Sequence, residues 1–173
     1  NLEGTLATEA TWKDGTTDFY GAFKDAMDAV GAEDSNVTDV TVMDNVVLGE
    51  NTTIPEGTNL TINEGVNLTV PSGMELKNNG SLINNGTVTN NGSISNNSDI
   101  INEGLVEGNG PIANGGLSHI DTNEGIIKNI ITDENGEPDD SMIESEAVIT
   151  DSETGEKYYG SLEAVLKNAE SGD

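Results

Sequence analysis

From Leu76 to Ile112 an aliphatic residue returns at every sixth position: Leu76, Leu82, Val88, Ile94, Ile100, Val106 and Ile112. Small polar residues flank several of them, as in Thr87-Val88-Thr89 and Ser93-Ile94-Ser95, and Asn-Asn-Gly follows at Asn78, Asn84 and Asn90. The period-2 alternation predicts short strands that each turn an apolar side chain inward. Asn and Gly tolerate the left-handed backbone of a sharp corner, so each Asn-Asn-Gly is read as turn chemistry. An antiparallel meander is the alternative, because Asn-Gly is also a hairpin signal. Strands this short would give a meander almost no core. Three hexads instead make a coil of 18 residues, with Leu76 on Ile94, Leu82 on Ile100 and Val88 on Val106. The same stacking sets Asn78 on Asn96 and Asn84 on Asn102, where side-chain amides can form hydrogen-bonded ladders.

A longer period precedes the hexads. Ile54 to Leu60, Ile62 to Leu68 and Val70 to Leu76 repeat every eight residues, with Gly57, Gly65 and Gly73 in register. Coil length therefore varies along the chain. The expected fold is all-β, a single-stranded parallel β-helix, and the variable coils favour the right-handed form over the left-handed type with its strict hexads.

The flanks carry helical patterns. Phe19, Phe23, Ala26, Met27 and Val30 share one face at helical spacing, with Asp18 as a cap and Gly31 as a stop. An amphipathic helix there would cover the open end of a solenoid. Trp12 is expected to pack on that cap or on the first coil. At the other end Tyr159-Gly160-Ser161-Leu162, Val165, Leu166 and Ala169 match Tyr20-Gly21-Ala22-Phe23, Ala26, Met27 and Val30 at a constant offset of 139 residues. This points to a second copy of the opening element, with all four apolar positions from Leu162 to Ala169 buried on the last coils. Two unrelated amphipathic helices are the plainer alternative. The expected segments are a polar N-terminal stretch and capping helix (1–35), the solenoid (36–132), an acidic loop and final strand (133–150), and a C-terminal helix that caps this module or opens the next (151–173).

Composition supports a thin core. Of 173 residues, 3% are aromatic and 33% hydrophobic, which is lean for two packed layers. A lone coil could not offset its backbone ordering cost, so stability must come from stacking. Acids outnumber bases 32 to 6, for a formal charge of −26. Such a surface repels phosphate backbones and anionic lipid, which argues against nucleic-acid partners and membrane attachment. The absence of a long apolar run argues against membrane insertion. With no cysteine, a disulfide scaffold and a thiolate metal site are excluded. The Asn-x-Ser/Thr triplets follow from the repeat and carry no separate expectation of glycosylation.

The order of elements, from TIPEGTNLTINEGVNLTVPSGMELKNNGSLINNGTVTNNGSI to YYGSLEAVLKNAESGD, resembles the repeat-rich, multidomain surface proteins of Gram-positive anaerobes, many of them gut Clostridia. The resemblance covers most of residues 12–173. It implies an exported, secreted or wall-associated protein with tandem β-helical modules, and it supplies no catalytic residues.

The residue inventory speaks against catalysis. A polysaccharide lyase needs cationic groups to neutralise a uronate, yet there is no arginine and the lysines are scattered. A hydrolase needs paired carboxylates at a cleft, and no acid stands in a distinctive motif. His119 is single and reads as a corner residue. Thr53, Thr61 and Thr69 suggest a flat ice-binding row, short and interrupted. Asp133, Asn135, Asp139 and Asp140 could hold Ca²⁺, the one metal considered, but lack the spacing of a 12-residue calcium loop; a solvated turn is the favoured reading. No catalytic or cofactor-binding residue is assigned. The expectation is a non-catalytic structural or adhesive module of a cell-surface protein. Its partners would be neighbouring modules of the same polypeptide and a host glycan or protein receptor, and the isolated chain would be a monomer. The alternatives are a carbohydrate-binding β-helix and, further off, a polysaccharide-degrading enzyme.

Overall fold

The computed structural model describes residues 8–116 and 118–171, and every structural statement below concerns those. Residues 1–7 of the expected N-terminal stretch and Gly172-Asp173 at the other end lie outside them.

The chain opens with a hairpin and a helix: β1 (Ala10–Asp14), β2 (Thr17–Gly21) and α1 (Phe23–Val30). Short strands follow, three to a coil. They are β3 (Asp39–Val42), β4 (Val46–Val47) and β5 (Thr52–Ile54), then β6 (Asn59–Ile62), β7 (Asn67–Val70) and β8 (Glu75–Asn78). The hexad coils contribute β9 (Ser81–Asn84), β10 (Thr87–Asn90) and β11 (Ser93–Asn96), then β12 (Asp99–Asn102), β13 (Leu105–Glu107) and β14 (Ile112–Asn114). After β15 (His119–Asp121), β16 (Ile126–Ile127), β17 (Ile131–Asp133) and β18 (Ile143–Glu144), a second hairpin and helix close the chain: β19 (Ala147–Thr150), β20 (Lys157–Gly160) and α2 (Leu162–Ser171).

Each strand pairs in parallel with the strand one coil away, which builds three sheets, β18-β15-β12-β9-β6-β3, β16-β13-β10-β7-β4 and β17-β14-β11-β8-β5. The result is a parallel β-solenoid of about five turns. The stacking has the expected register: Leu76 lies on Ile94, Leu82 on Ile100 and Val88 on Val106. Hexad coils advance by 18 residues, as between Asn78 and Asn96, and the octad coils by up to 24, as between Asn51 and Glu75. Parallel stacking continues past residue 132 through β18, which lies on β15 with Ile143 on Ile120.

Two inward positions per strand build the core, and the hexads use the second one for asparagine. In β6 and β7 the inward pairs are Leu60 with Ile62 and Leu68 with Val70; in β9 and β10 they are Leu82 with Asn84 and Val88 with Asn90. Asn78, Asn84, Asn90, Asn96 and Asn102 are fully buried. The first Asn of each Asn-Asn-Gly thus ends a strand and points inward, where the sequence reading placed a corner. Its hydrogen bonds pair it with the coil above: Asn78 Nδ2 donates to Asn96 Oδ1 at 2.8 Å and to the Asp99 carbonyl at 2.8 Å, and Asn84 Nδ2 donates to Asn102 Oδ1 at 2.8 Å. The ladders start where aliphatic coils give way to amide coils. Asn78 lies over Ile54 and Asn84 over Ile62, so their Oδ1 atoms receive no protein donor.

The two glycine registers do different work. Gly65 has φ +76° with open space where a Cβ would point, so it is there for its left-handed backbone. Gly86 has no such φ; a Cβ there would collide with the carbonyl oxygens of Asn63 and Val66 one coil below. Close coil-on-coil approach, rather than a left-handed corner, fixes glycine in the hexads.

The opening helix differs from its expectation. Residues from Asp18 to Gly21 pair as a strand, with Phe19 opposite Trp12 and Tyr20 opposite Thr11, so α1 begins only at Phe23 and Asp18 caps nothing. Antiparallel pairing captured a stretch whose aromatic spacing also suits a helix. Phe23, Ala26 and Val30 are buried with Met27 partly so, and Gly31 follows the last turn. Trp12 packs on the core, stacked on Phe19 with centroids 5.7 Å apart, and β1 pairs antiparallel with β3.

Candidate functional site

At the C-terminal end of the rod β17, the acidic loop and the β19–β20 hairpin meet. They enclose a cleft of about 400 Å³ whose walls include Asn109, Lys128, Pro138, Asp140, Lys157 and Tyr159. Asp140 Oδ2 is 2.7 Å from Lys157 Nζ and accepts the Tyr159 hydroxyl at 3.1 Å. Lys157 chiefly, with the Tyr159 hydroxyl, holds the Asp140 carboxyl below the usual carboxylate range. Burial, with the Asp140 charge beside it, pushes the Tyr159 phenol up. Lys128 Nζ sits 5.8 Å from the centroid of the Tyr158 ring. The cleft is of mixed charge, with Lys128 and Lys157 among Asp139, Asp140 and Glu156, and Tyr159 is the tyrosine on its wall.

The four Ca²⁺ candidates do not converge there. Asp133 turns its oxygens onto its own loop: Oδ1 accepts the backbone N–H of Asn135 at 2.8 Å and of Glu137 at 2.9 Å, and Oδ2 accepts Asn135 Nδ2 at 3.1 Å. The Asn135 amide leads these donors in holding the Asp133 carboxyl low. Asp139 Oδ1 accepts the Ser141 N–H at 2.9 Å, and Asp140 belongs to the Lys157 pair. The loop is a hydrogen-bonded turn. Among the described residues, no group of three or more His, Asp or Glu side chains is disposed to hold a metal ion.

Other sequence candidates are dispersed. Thr53, Thr61 and Thr69 stand on three different sheets, beside Lys77, Ile83 and Thr89 respectively, so these three form no common row. His119 Nε2 lies 3.3 Å from Glu144 Oε2 at the surface. Lys13 pairs with Asp18 at 3.6 Å, and Lys24 with Asp28 and Glu50 at 2.9 Å each.

What sequence reasoning missed is the full extent of the end elements. The two hairpins share a pairing register, Ala10 opposite Gly21 in one and Ala147 opposite Gly160 in the other. Glu9 Oε2 accepts the N–H of Phe23 at the start of α1 (2.9 Å), and Glu146 Oε2 accepts that of Leu162 at the start of α2 (3.2 Å). Both carboxylates precede the first hairpin strand and satisfy a helix N-terminus. The signal was hidden because the second turn is two residues longer, which breaks the constant offset upstream of it.

In comparison with known proteins, no family model, no curated protein and no solved structure matches this chain. No helix among the described residues is long and apolar enough to cross a membrane.

Proposed function

We propose that the chain is a structural module of an exported, cell-surface or wall-associated bacterial protein, a rod segment that spaces or presents other parts and performs no chemistry. A β-solenoid is compatible with a structural or adhesive repeat module, and one observation carries the proposal further: the same hairpin–helix, with the same carboxylate cap, stands at both ends of the solenoid. Elements that recur at a solenoid's ends are what serial modules need. The charge of −26 keeps such rods soluble and apart. The test is protease shaving of intact producing cells followed by detection of this segment. Release from intact cells supports the surface reading; protection until lysis contradicts it.

A second, adhesive reading rests on the cleft lined by Lys128, Lys157 and Tyr159. A glycan and host-protein array decides it: a ligand lost on Lys128→Ala and Lys157→Ala makes the module an adhesin, and a blank array leaves the spacer.

A further inference from the structure

The two end elements have the same fold and opposite exposures. Tyr20 in β2 is 68% exposed, whereas its counterpart Tyr159 in β20 is 4% exposed because β20 pairs antiparallel with β16 of the last coil. The helices show the reverse. Phe23 is 4% exposed and Val30 is buried, because α1 packs on β1, β3 and β5; their counterparts Leu162, at 56%, and Ala169 are exposed on α2, which packs on β19 and β20. Leu166, the counterpart of the partly buried Met27, is 52% exposed. Only the inner position is closed in both copies, Ala26 at 0% and Val165 at 1%.

Strand edges follow the same rule. In the first hairpin β1 is paired on both sides, by β2 and β3, and β2 is the sheet edge. In the second, β20 is paired on both sides, by β19 and β16, and β19 is the edge. Each copy of the element therefore has one covered side and one open side, and the open side of each is the covered side of the other.

From this we infer that the hairpin–helix is a two-sided joint, and that the open face of β19 and α2 is the docking site for the first coil of a second solenoid of this fold, one that carries no hairpin–helix of its own. The occupant is identified by the contacts the equivalent surface already makes. Ala10, Thr11 and Trp12 lie opposite Val42, Thr41 and Val40, which places Ala147, Val148 and Ile149 opposite Val42, Thr41 and Val40 of the second copy. Leu162, Leu166 and Ala169 then take the places of Phe23, Met27 and Val30 over its first coil. At the other end Tyr20 and Gly21 pair with Ile127 and Ile126 of a preceding copy, as Tyr159 and Gly160 do here. The surface is heterologous, head to tail, and it extends without closing. In a free second copy that first coil is already covered by its own β1 and α1, so the joint forms where one hairpin–helix is shared by two solenoids of a continuous chain. The inference stands on the paired exposures alone, so it survives if the cell-surface reading fails.

A chain without cysteine makes the test clean. Leu166→Cys is placed in the full chain and in the first copy of a double-length chain in which residues 31–173 follow Ala169, the register set by Val30 and Ala169. Alkylation by iodoacetamide is expected to be fast in the single chain and at least tenfold slower in the double one. Tyr20→Cys, which has no preceding copy in either chain, should react equally fast in both. Equal Leu166→Cys rates in a double chain that keeps the β circular dichroism of two solenoids would overturn the joint. If that junction prevents folding, the same measurement with residues 33–173 following Ser171, which keeps the register, decides in the same terms.

Discussion

Val88 and Thr89 are neighbours in β10 that face opposite ways, Val88 into the stack between Leu68 and Val106, Thr89 outward between Thr69 and Glu107. Val88→Asp buries a carboxylate with no partner and is expected to unfold the rod, whereas Thr89→Lys, placed beside Glu107, should move the urea midpoint little. Equal shifts would contradict the inward assignment. The glycines divide in the same way. Gly65→Ala meets open space and a strained left-handed backbone, with an expected cost of about 1–2 kcal/mol. Gly86→Ala meets two carbonyl oxygens of the coil below and should cost more, because neither backbone can retreat without breaking coil pairing. Urea denaturation of the two variants ranks them. Asp140 adds a pH dependence. Its folded pKa is depressed by Lys157, so its contribution is present above the ordinary carboxylate pKa of about 3.9 and is lost as pH falls through the folded value. Asp140→Asn should flatten the acid limb of the stability profile, and an unchanged limb would show that the pair contributes nothing.

At the scale of the element, the hexad was legible because an aliphatic residue returns at every sixth position from Leu76 to Ile112, and three hexads close a coil. The inward turn of the first Asn was not legible, since Asn-Asn-Gly carries the same letters whether the first Asn ends a strand or makes a corner. Stacking of Asn96 on Asn78, which the repeat already implies, fits either reading; the burial of both side chains separates the two. The helix start was misread for a related reason: Phe19 and Phe23 are spaced for a helix, but pairing of Phe19 with Trp12 holds that segment extended. The cleft at the C-terminal end was beyond sequence reading, because Lys128, Asp140 and Lys157 meet only once the hairpin folds back on β16. The carboxylate caps make an element-scale prediction. Glu9→Ala removes the acceptor of the Phe23 N–H and should destabilise the chain by about 0.5–2 kcal/mol. Glu146→Ala should lower the protection of α2 amides from hydrogen exchange while leaving the coil amides unchanged.

For the whole molecule, the acidic surface and the end elements set the behaviour. The Asp133 loop is closed by its own hydrogen bonds, so removing Ca²⁺ with a chelator at fixed ionic strength should leave Tm unchanged; a large drop would reveal a structural ion stabilising the fold by mass action. The central claim is that this chain is one unit of a continuous rod, its ends built to join like units through shared strands and a shared helix. Small-angle X-ray scattering of the double-length chain described above tests it most directly. Five turns at about 4.8 Å per turn add roughly 24 Å of solenoid per copy. The account expects the profile of one stiff rod, with a maximum dimension longer than that of the single chain by at least that length. A profile of two independently oriented bodies on a flexible link would contradict it.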